Sequence, residues 1–386
     1  MSYIASWFEE VLQAAEAQMV IEDTMKELVT RQALLNEYMP LKLYDSREFV
    51  GYVLDKIRTV ASIVAYGAEL PTATSLGKFN KITGELFKTG LSFDYPEEKQ
   101  WAMKAAMELA AIKNIAVQSQ VADDGTVVRG TNNTLADYLF GTIADMARSL
   151  VDLLYLLSWQ AVQFGTVNYQ DPRTHAALQL DYRDPNATWG YAPHGKLAHF
   201  PPDLTATPRA WDQYPTANGF EDLEKDVEVY IDTNGGPPDA IAMPRSMRRH
   251  LMNQESTRRA YAAISNTAAG IVVDNVGIVG PEMLMRLLER RELPPIRIME
   301  ERYSVEDEFK NITQRRFLNQ DRYVFLKAGM GEQAMGPTLE SGDDTPGAYV
   351  VTREITKFPP RDATQGVATM LPVIPNPKLL FSRRVA

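Results

Sequence analysis

The sequence contains no cysteine. Disulfides, thiolate nucleophiles and thiolate zinc sites are excluded with it, and the composition suits a reducing compartment. Histidine is nearly as scarce, at four copies: His175, His194, His199 and His250. The usual general base is therefore hard to place. There is no G-x-S-x-G, no H-E-x-x-H and no Walker lysine loop. Carboxylates are many, but no spacing pairs two of them for acid–base work. Long hydrophobic runs are missing as well. The longest, around Leu150–Trp159, is broken by Asp152 and falls short of the ~20 residues a membrane span needs. The first residues, MSYIASWFEEVLQAAEAQ, lack a basic n-region and carry Glu9 and Glu10, unlike a secretory signal. Nor is there an excess of positive charge: the net charge is −10 and the pI about 5.1. A chain this acidic is poorly suited to grip nucleic acid, which needs clustered Lys and Arg. These absences point away from an enzyme and predict no cofactor, no catalytic residue and no bound metal.

What is present is ordinary globular material. The chain has 386 residues, 45% hydrophobic and 23% charged, enough for two or three packed units with a sizeable core. The standout element is Thr134–Gln163, which reads as one unbroken helix roughly 45 Å long. Typical helices run about 11–12 residues, and a rod this long suits an architectural role. Asp137, Gly141, Asp145, Arg148, Asp152 and Gln163 form a polar stripe along it. Leu135, Leu139, Ile143, Met146, Leu150, Leu153, Leu154 and Leu157 fill the rest, so one narrow edge is expected to be exposed. Gly165 stops the helix.

Residues 5–38 show helical periodicity (Trp7, Val11, Leu12, Ala15, Met19) and end at Pro40, an amphipathic arm. Arg47–Val60 reads as strand. A tip rich in Gly, Pro, Ser and Thr follows at Gly67–Gly77, and Lys78–Phe93 returns with rough alternation. This is a long two-stranded excursion. An isolated hairpin is marginal in water, so it expects a neighbour to lie on. Glu97–Gln118 is a second helix behind Pro96, and Ala122–Asn133 a turn-rich connector. GTVNYQDPRTHAALQLDY continues from the long helix as sheet. Residues 184–219 are irregular and proline-rich, with Trp189 and Trp211. Phe220–Asn234 resumes as helix, Pro237–Met243 as buried strand, and MPRSMRRHLMNQESTRRAYAAI as one helix. Pro281–Leu293 is a further helix, PPIRIMEERY a strand and Arg322–Met330 another. Residues 348–386 are strand-rich. The mixture is α+β in texture.

Three constellations invite chemistry and are weighed against plainer roles. GMGEQAMG (Gly329–Gly336) follows a strand but leads into Pro337, so it reads as a turn rather than a phosphate loop. His194, His199 and Asp203 match no ligand-pair spacing and read as loop residues. Arg245, Arg248, Arg249, His250, Arg258 and Arg259 make a basic helix. It is expected to pair with acidic surface at Glu221, Asp222, Glu224 and Asp226, on this copy or a neighbouring one, rather than with nucleic acid.

Four segments, taken in order, resemble the lambda-like (major capsid protein E) family of tailed-phage major capsid proteins, which has the HK97-like fold. GTVNYQDPRTHAALQLDY is similar to the strand pair after the family's spine helix. FEDLEKDVEVYIDTNGGPPDAIAMPRSMRRHL is similar to the opening of its axial domain, and RYVFLKAGMGEQAMGPTLE to its later strand and turn. VVTREITKFPPRDATQGVATMLPVIPNPKLLFSRRV is similar to its closing segment. The resemblance covers nearly everything from about residue 45. It implies an N-arm (1–45), a peripheral strand (46–57), an extended E-loop hairpin (58–96), and a peripheral domain (97–183) with spine helix 134–163. An irregular insertion (184–219), an axial domain (220–339) and peripheral C-terminal strands (340–386) would follow.

The implied function is self-assembly, without a chemical step, into pentamers and hexamers of an icosahedral virion shell around double-stranded DNA. Assembly would take place in the host cytoplasm. The implied partners are other copies of the chain, a separate scaffold protein, a portal and a decoration protein. Packaged DNA would be near but not gripped, and no membrane is involved. Some members of the fold cross-link an E-loop lysine. Lys78, Lys81 and Lys88 lie on the suspected loop, but no partner asparagine or assisting acid is apparent, and no cross-link is expected. Two alternatives stay open: an encapsulin-type nanocompartment, and a soluble α/β enzyme.

Overall fold

A computed structural model describes residues 34–55, 78–96, 120–121, 127–128, 134–173, 175–182, 204, 210–266, 279–338, 349–357 and 360–385. The arm at 1–33, the tip Gly67–Gly77, the helix Glu97–Gln118, most of the connector before residue 134, and His194, His199 and Asp203 lie outside the described residues.

In chain order the strands are β1 (Leu41–Leu43), β2 (Glu48–Asp55), β3 (Lys78–Glu85), β4 (Phe87–Pro96), β5 (Gln120–Val121) and β6 (Val127–Val128). Helix α1 (Thr134–Phe164) precedes β7 (Thr166–Gln170) and β8 (Ala177–Asp181). Then come α2 (Gly219–Asn234), β9 (Ala240–Met243), α3 (Arg245–Asn253), α4 (Glu255–Asn266) and α5 (Pro281–Arg290). The last strands are β10 (Ile296–Ile298), β11 (Arg302–Glu306), β12 (Ile312–Arg316), β13 (Arg322–Leu326), β14 (Glu332–Gly336), β15 (Tyr349–Lys357), β16 (Pro360–Val373) and β17 (Phe381–Arg384). The fold is α+β.

Two sheets organise it. In the first, β16 is the long middle strand. On one edge it pairs β4 from Met370↔Phe87 to Arg361↔Pro96. On the other it pairs β15, with a bulge between Val351 and Glu354, and then β14. β1 runs parallel to β14 at the margin. The second sheet has the order β10-β9-β13-β17. All four residues of β9 are buried, as a continuous apolar strand covered on both faces must be. The sheets do not divide at residue 340. β14 belongs to the first, and the C-terminal β17 returns to the second, antiparallel to β13.

Helix α1 bridges the two. Its 31 residues span roughly 46 Å. Leu150 and Leu154 pack on Met335, Ala368 and Met370 of the first sheet. Here the helix comes close: a Cβ on Gly366 would sit 2.5 Å from the Met146 side chain. Farther along, Tyr155, Leu157, Trp159 and Val162 join a core with Val324, Leu326, Phe317 and Met330. Gly165 ends the helix at φ 65, its N–H donating to the Ala161 carbonyl. The exposed edge holds for Asp145 and Arg148, which pair at 3.2 Å. It fails at Gln163, which is 1% exposed. Its amide donates to the Phe317 carbonyl at 2.7 Å and accepts from the Asn319 N–H at 2.8 Å. Hydrogen bonds of this kind are worth about 1 kcal/mol each and are costly to leave unmade.

Several expected elements are divided by a single buried residue or contact. The strand expected over Lys78–Phe93 breaks at Leu86, whose side chain is buried against Ala334, Leu371 and Val373. The helix expected after Pro244 breaks at Gln254, which is extended at φ −63 and ψ 140. Its buried amide accepts from the Gly219 N–H at 2.7 Å and donates to the Trp211 carbonyl at 3.3 Å. PPIRIMEERY forms two strands, because Glu300 between them turns to accept from the Arg245 N–H at 2.6 Å and from Arg316. GMGEQAMG is mostly strand: after a turn at Gly329 (φ 78), residues 332–336 are β14.

One corner of the second sheet carries a pH signature. Lys327 donates to Asp239 at 2.7 Å and to the Pro237 carbonyl at 2.8 Å, and the Ala328 N–H donates to Asp239 at 2.8 Å. Burial works to raise the Asp239 carboxyl, but the Lys327 and Ala328 hydrogen bonds and the Lys327 charge outweigh it and hold it below its ordinary value of 3.8. A depressed acid stabilises the fold above its unfolded-state value, and that contribution disappears as the pH falls through the folded-state value. Asp239→Asn is expected to lower stability by under about 1 kcal/mol at neutral pH, the pair being half-exposed. The deficit should shrink as the pH falls and vanish only below the depressed folded-state value. Urea midpoints for both chains at pH 7 and pH 3 check this; an equal deficit at both would refute it.

Candidate assembly surface

Two hairpins leave the body. β2 and β3 pair over eight residues, from Glu48↔Glu85 to Asp55↔Lys78, and bond to no third strand among the described residues. The chain then passes directly into β4, so the hairpin is rooted in the first sheet. Lys78 and Lys81 stand opposite Asp55 and Tyr52, and Lys88 opposite Thr369.

The second hairpin, β11–β12, also pairs only with itself among the described residues. The Asp307 carboxylate locks its turn, accepting from the Phe309 N–H at 2.9 Å, the Asn311 N–H at 2.8 Å and the Asn311 side chain at 3.0 Å. The Asn311 side chain leads the other two in holding that carboxyl below its ordinary range. Lys310 takes a left-handed φ of 63 to close the turn. The result is an ordered tip that holds Phe309 80% exposed, with Ile312 beside it at 71%. Glu306 and Glu308 reach Arg173 (3.7 Å) and His175 (3.4 Å) on the β7–β8 turn. Such exposed pairs contribute little each, but they join the two turns. No feature of the sequence singled out Phe309; its exposure follows from the turn.

Between α1, β4, the β7–β8 turn and β11–β12 lies an open groove of about 430 Å³. Its lining is mixed: Leu91, Leu153, Leu156, Tyr169 and Ile312 alternate with Ser149, Asp152, Asp171, Arg173, Arg302 and Glu306.

The acidic face expected to take the basic helix is engaged largely elsewhere. Asp222 and Asp226 are buried. Asp226 accepts from Arg383 at 2.6 Å and from the Tyr323 hydroxyl, and Asp222 accepts from Trp211 Nε1 at 3.2 Å. Glu221 takes Lys225 at 2.5 Å, and Glu224 takes Arg291. Arg259 pairs within its own helix with Glu255, at 2.5 Å. Burial holds the His250 imidazole below its ordinary 6.5, with Asp212 opposing and Arg249 adding. It sits 3.0 Å from the Tyr214 hydroxyl.

The irregular segment before α2 is anchored at its described positions. The Leu204 N–H donates to the Arg384 carbonyl and the Trp211 N–H to that of Val385, both at 2.8 Å. Trp211 is wholly buried and stacks on Tyr323 at 5.3 Å.

Among the described residues, no group of three or more His, Asp or Glu is placed to hold a metal, and no helix is long and apolar enough to cross a membrane.

No family model matches the chain, and no curated protein matches it. Solved structures resemble it at low identity. A prophage protein of E. coli CFT073, described as its capsid protein, is 14% identical over 80% of each chain, with a TM-score of 0.47. The capsid of Myoviridae phage XM1 is 11% identical over 91% of this chain and 90% of its own, at 0.41. A virus-like particle from Pyrococcus furiosus is 9% identical over 97% and 100%, also at 0.41.

Proposed function

We propose that the chain is a shell-forming major capsid protein of a tailed bacteriophage, built on the HK97-like plan and assembling as pentamers and hexamers around a double-stranded DNA genome. The observation that carries the reading is the layout of the described elements. A 31-residue helix ties two sheets together, while β2–β3 and β11–β12, like the pairs β5–β6 and β7–β8, have no third strand among the described residues. A two-stranded ribbon is barely stable alone; it gains its stability when it lies on another surface. In a ring of identical copies each ribbon finds one, through heterologous contacts that close. Residues 58–96 would be the E-loop, α1 the spine, 1–45 the N-arm and 220–339 the axial unit, which also takes in β17. A lambda-like kinship, a scaffold, a portal and a decoration protein belong to the same reading, as do assembly in the host cytoplasm and residence in the virion. The excess of negative charge would keep packaged DNA from adhering to the wall.

Negative-stain microscopy of the purified chain, alone and co-expressed with a scaffold from the same locus, tests this. Closed particles of uniform size are expected. A monodisperse small species under both conditions and at all concentrations overturns it.

A further inference from the structure

Phe309 is the most exposed large hydrophobic side chain among the described residues, at 80%. It is not on a fraying loop: hydrogen bonds from its own N–H and from Asn311 to Asp307 hold it in place. An ordered turn that presents an aromatic ring to water has the form of an anchor awaiting a pocket. The same hairpin supplies a pocket. Its base, through Tyr303 and Val305, walls the open groove of about 430 Å³ over α1, and Phe309 does not line that groove. Knob and hole are thus offset along one hairpin, so a copy cannot fill its own hole with its own knob. A second copy, placed head to tail, fills it and presents a fresh knob onward. The exposed rim residue Ile312 would be covered by the incoming ring, which accounts for both unusual exposures together.

We infer that the β11–β12 tip of one copy docks into this groove of a second copy of the same chain, with Phe309 as the anchor. The inference rests on the shell reading and names one of its contacts. Size favours a ring over a dimer. One aromatic buries about 150–250 Å², far short of the 1,200 Å² or so of a stable pairwise interface. The contact therefore works as one of several repeated around a closed assembly.

The absence of cysteine makes the test direct. Glu308→Cys at the tip and Ser149→Cys on the exposed margin of the groove are introduced together, with Phe309 kept. Mild oxidation should give a ladder of dimers, trimers and larger species on a non-reducing gel, while each single-cysteine chain stops at dimer. Adding Phe309→Ala should cut the ladder roughly tenfold or more with an unchanged circular dichroism spectrum, since the ring touches no core. Monomer alone from the double-cysteine chain, or an undiminished ladder after Phe309→Ala, overturns the docking. Electron microscopy of the unmodified chain keeps the two ideas apart. Closed particles without a ladder sink the docking and leave the shell reading standing. A ladder without particles does the reverse, and neither sinks both.

Discussion

Asp226→Ala is expected to destabilise the chain by about 3–5 kcal/mol, the cost of breaking a buried ion pair by removing one partner. Asp226 and Arg383 are only 6% and 11% exposed and lie 2.6 Å apart. The Tyr323 hydroxyl donates to the same carboxylate. Truncating Asp226 removes the acceptor shared by Arg383 and the Tyr323 hydroxyl in the aromatic heart of the second sheet, where Phe325 and Phe381 stack at 4.2 Å. Removing both charges with Asp226→Leu and Arg383→Met should cost far less than the single change, because no ion is left without a partner. Urea unfolding of the three chains checks the sequence of effects. A single-variant loss below about 1 kcal/mol, the range of an exposed pair, would mean that Arg383 had found another acceptor. The pair joins α2 to the C-terminal strand.

Trp159→Ala should be comparably severe, at about 3–5 kcal/mol for a buried large-to-small change. Trp159 is fully buried in the half of α1 that meets the second sheet. It touches Tyr155 edge-on at 6.2 Å, Tyr155 touches Phe317 at 4.9 Å, and Phe317 touches Tyr303 at 4.9 Å. That chain of rings runs from helix α1 to the base of the β11–β12 hairpin. The cavity is therefore expected to loosen the hairpin as well as the helix. Hydrogen exchange should show early loss of protection at β11–β12 in the variant, and Trp159→Phe should restore part of the stability. Protection confined to wild-type values at the hairpin would disprove the coupling.

The elements that read correctly from sequence share a property: their periodicity is local. Helix α1 shows because apolar residues recur at helical spacing over many turns and Gly165 ends them. Strand β9 shows because AIAM is a short apolar run between turn residues. Strands β7 and β8 were legible only as sheet following the helix, and as a pair only through the family resemblance. The candidate site was legible only in outline. That a long ribbon leaves the body near residues 47–93 followed from composition. That a second hairpin carries an exposed Phe309 did not, because a single Phe in EDEFKN gives no periodic signal and its exposure depends on Asp307 closing the turn.

The misreadings are equally local in appearance and tertiary in cause. Gln163 sits on the polar stripe by spacing, yet the loop at Phe317–Asn319 offers it backbone partners and draws it inside. Gln254 lies in the middle of a good helical pattern, yet Gly219 N–H and the Trp211 carbonyl need its amide, and the helix gives way there. Asp222 and Asp226 look like a solvated acidic face until Trp211, Tyr323 and Arg383 arrive from distant parts of the chain. By itself the sequence determined the α+β texture, the cysteine-free and acidic character, and the length and end of helix α1, since all of these depend on composition and short-range pattern. Which polar groups are buried, which strand closes which sheet, and which apolar ring is left facing water were decided only by tertiary structure. Each of those outcomes depends on a partner far away in the sequence, whose arrival changes the cost of burying a charge or exposing a ring by more than any local preference can resist.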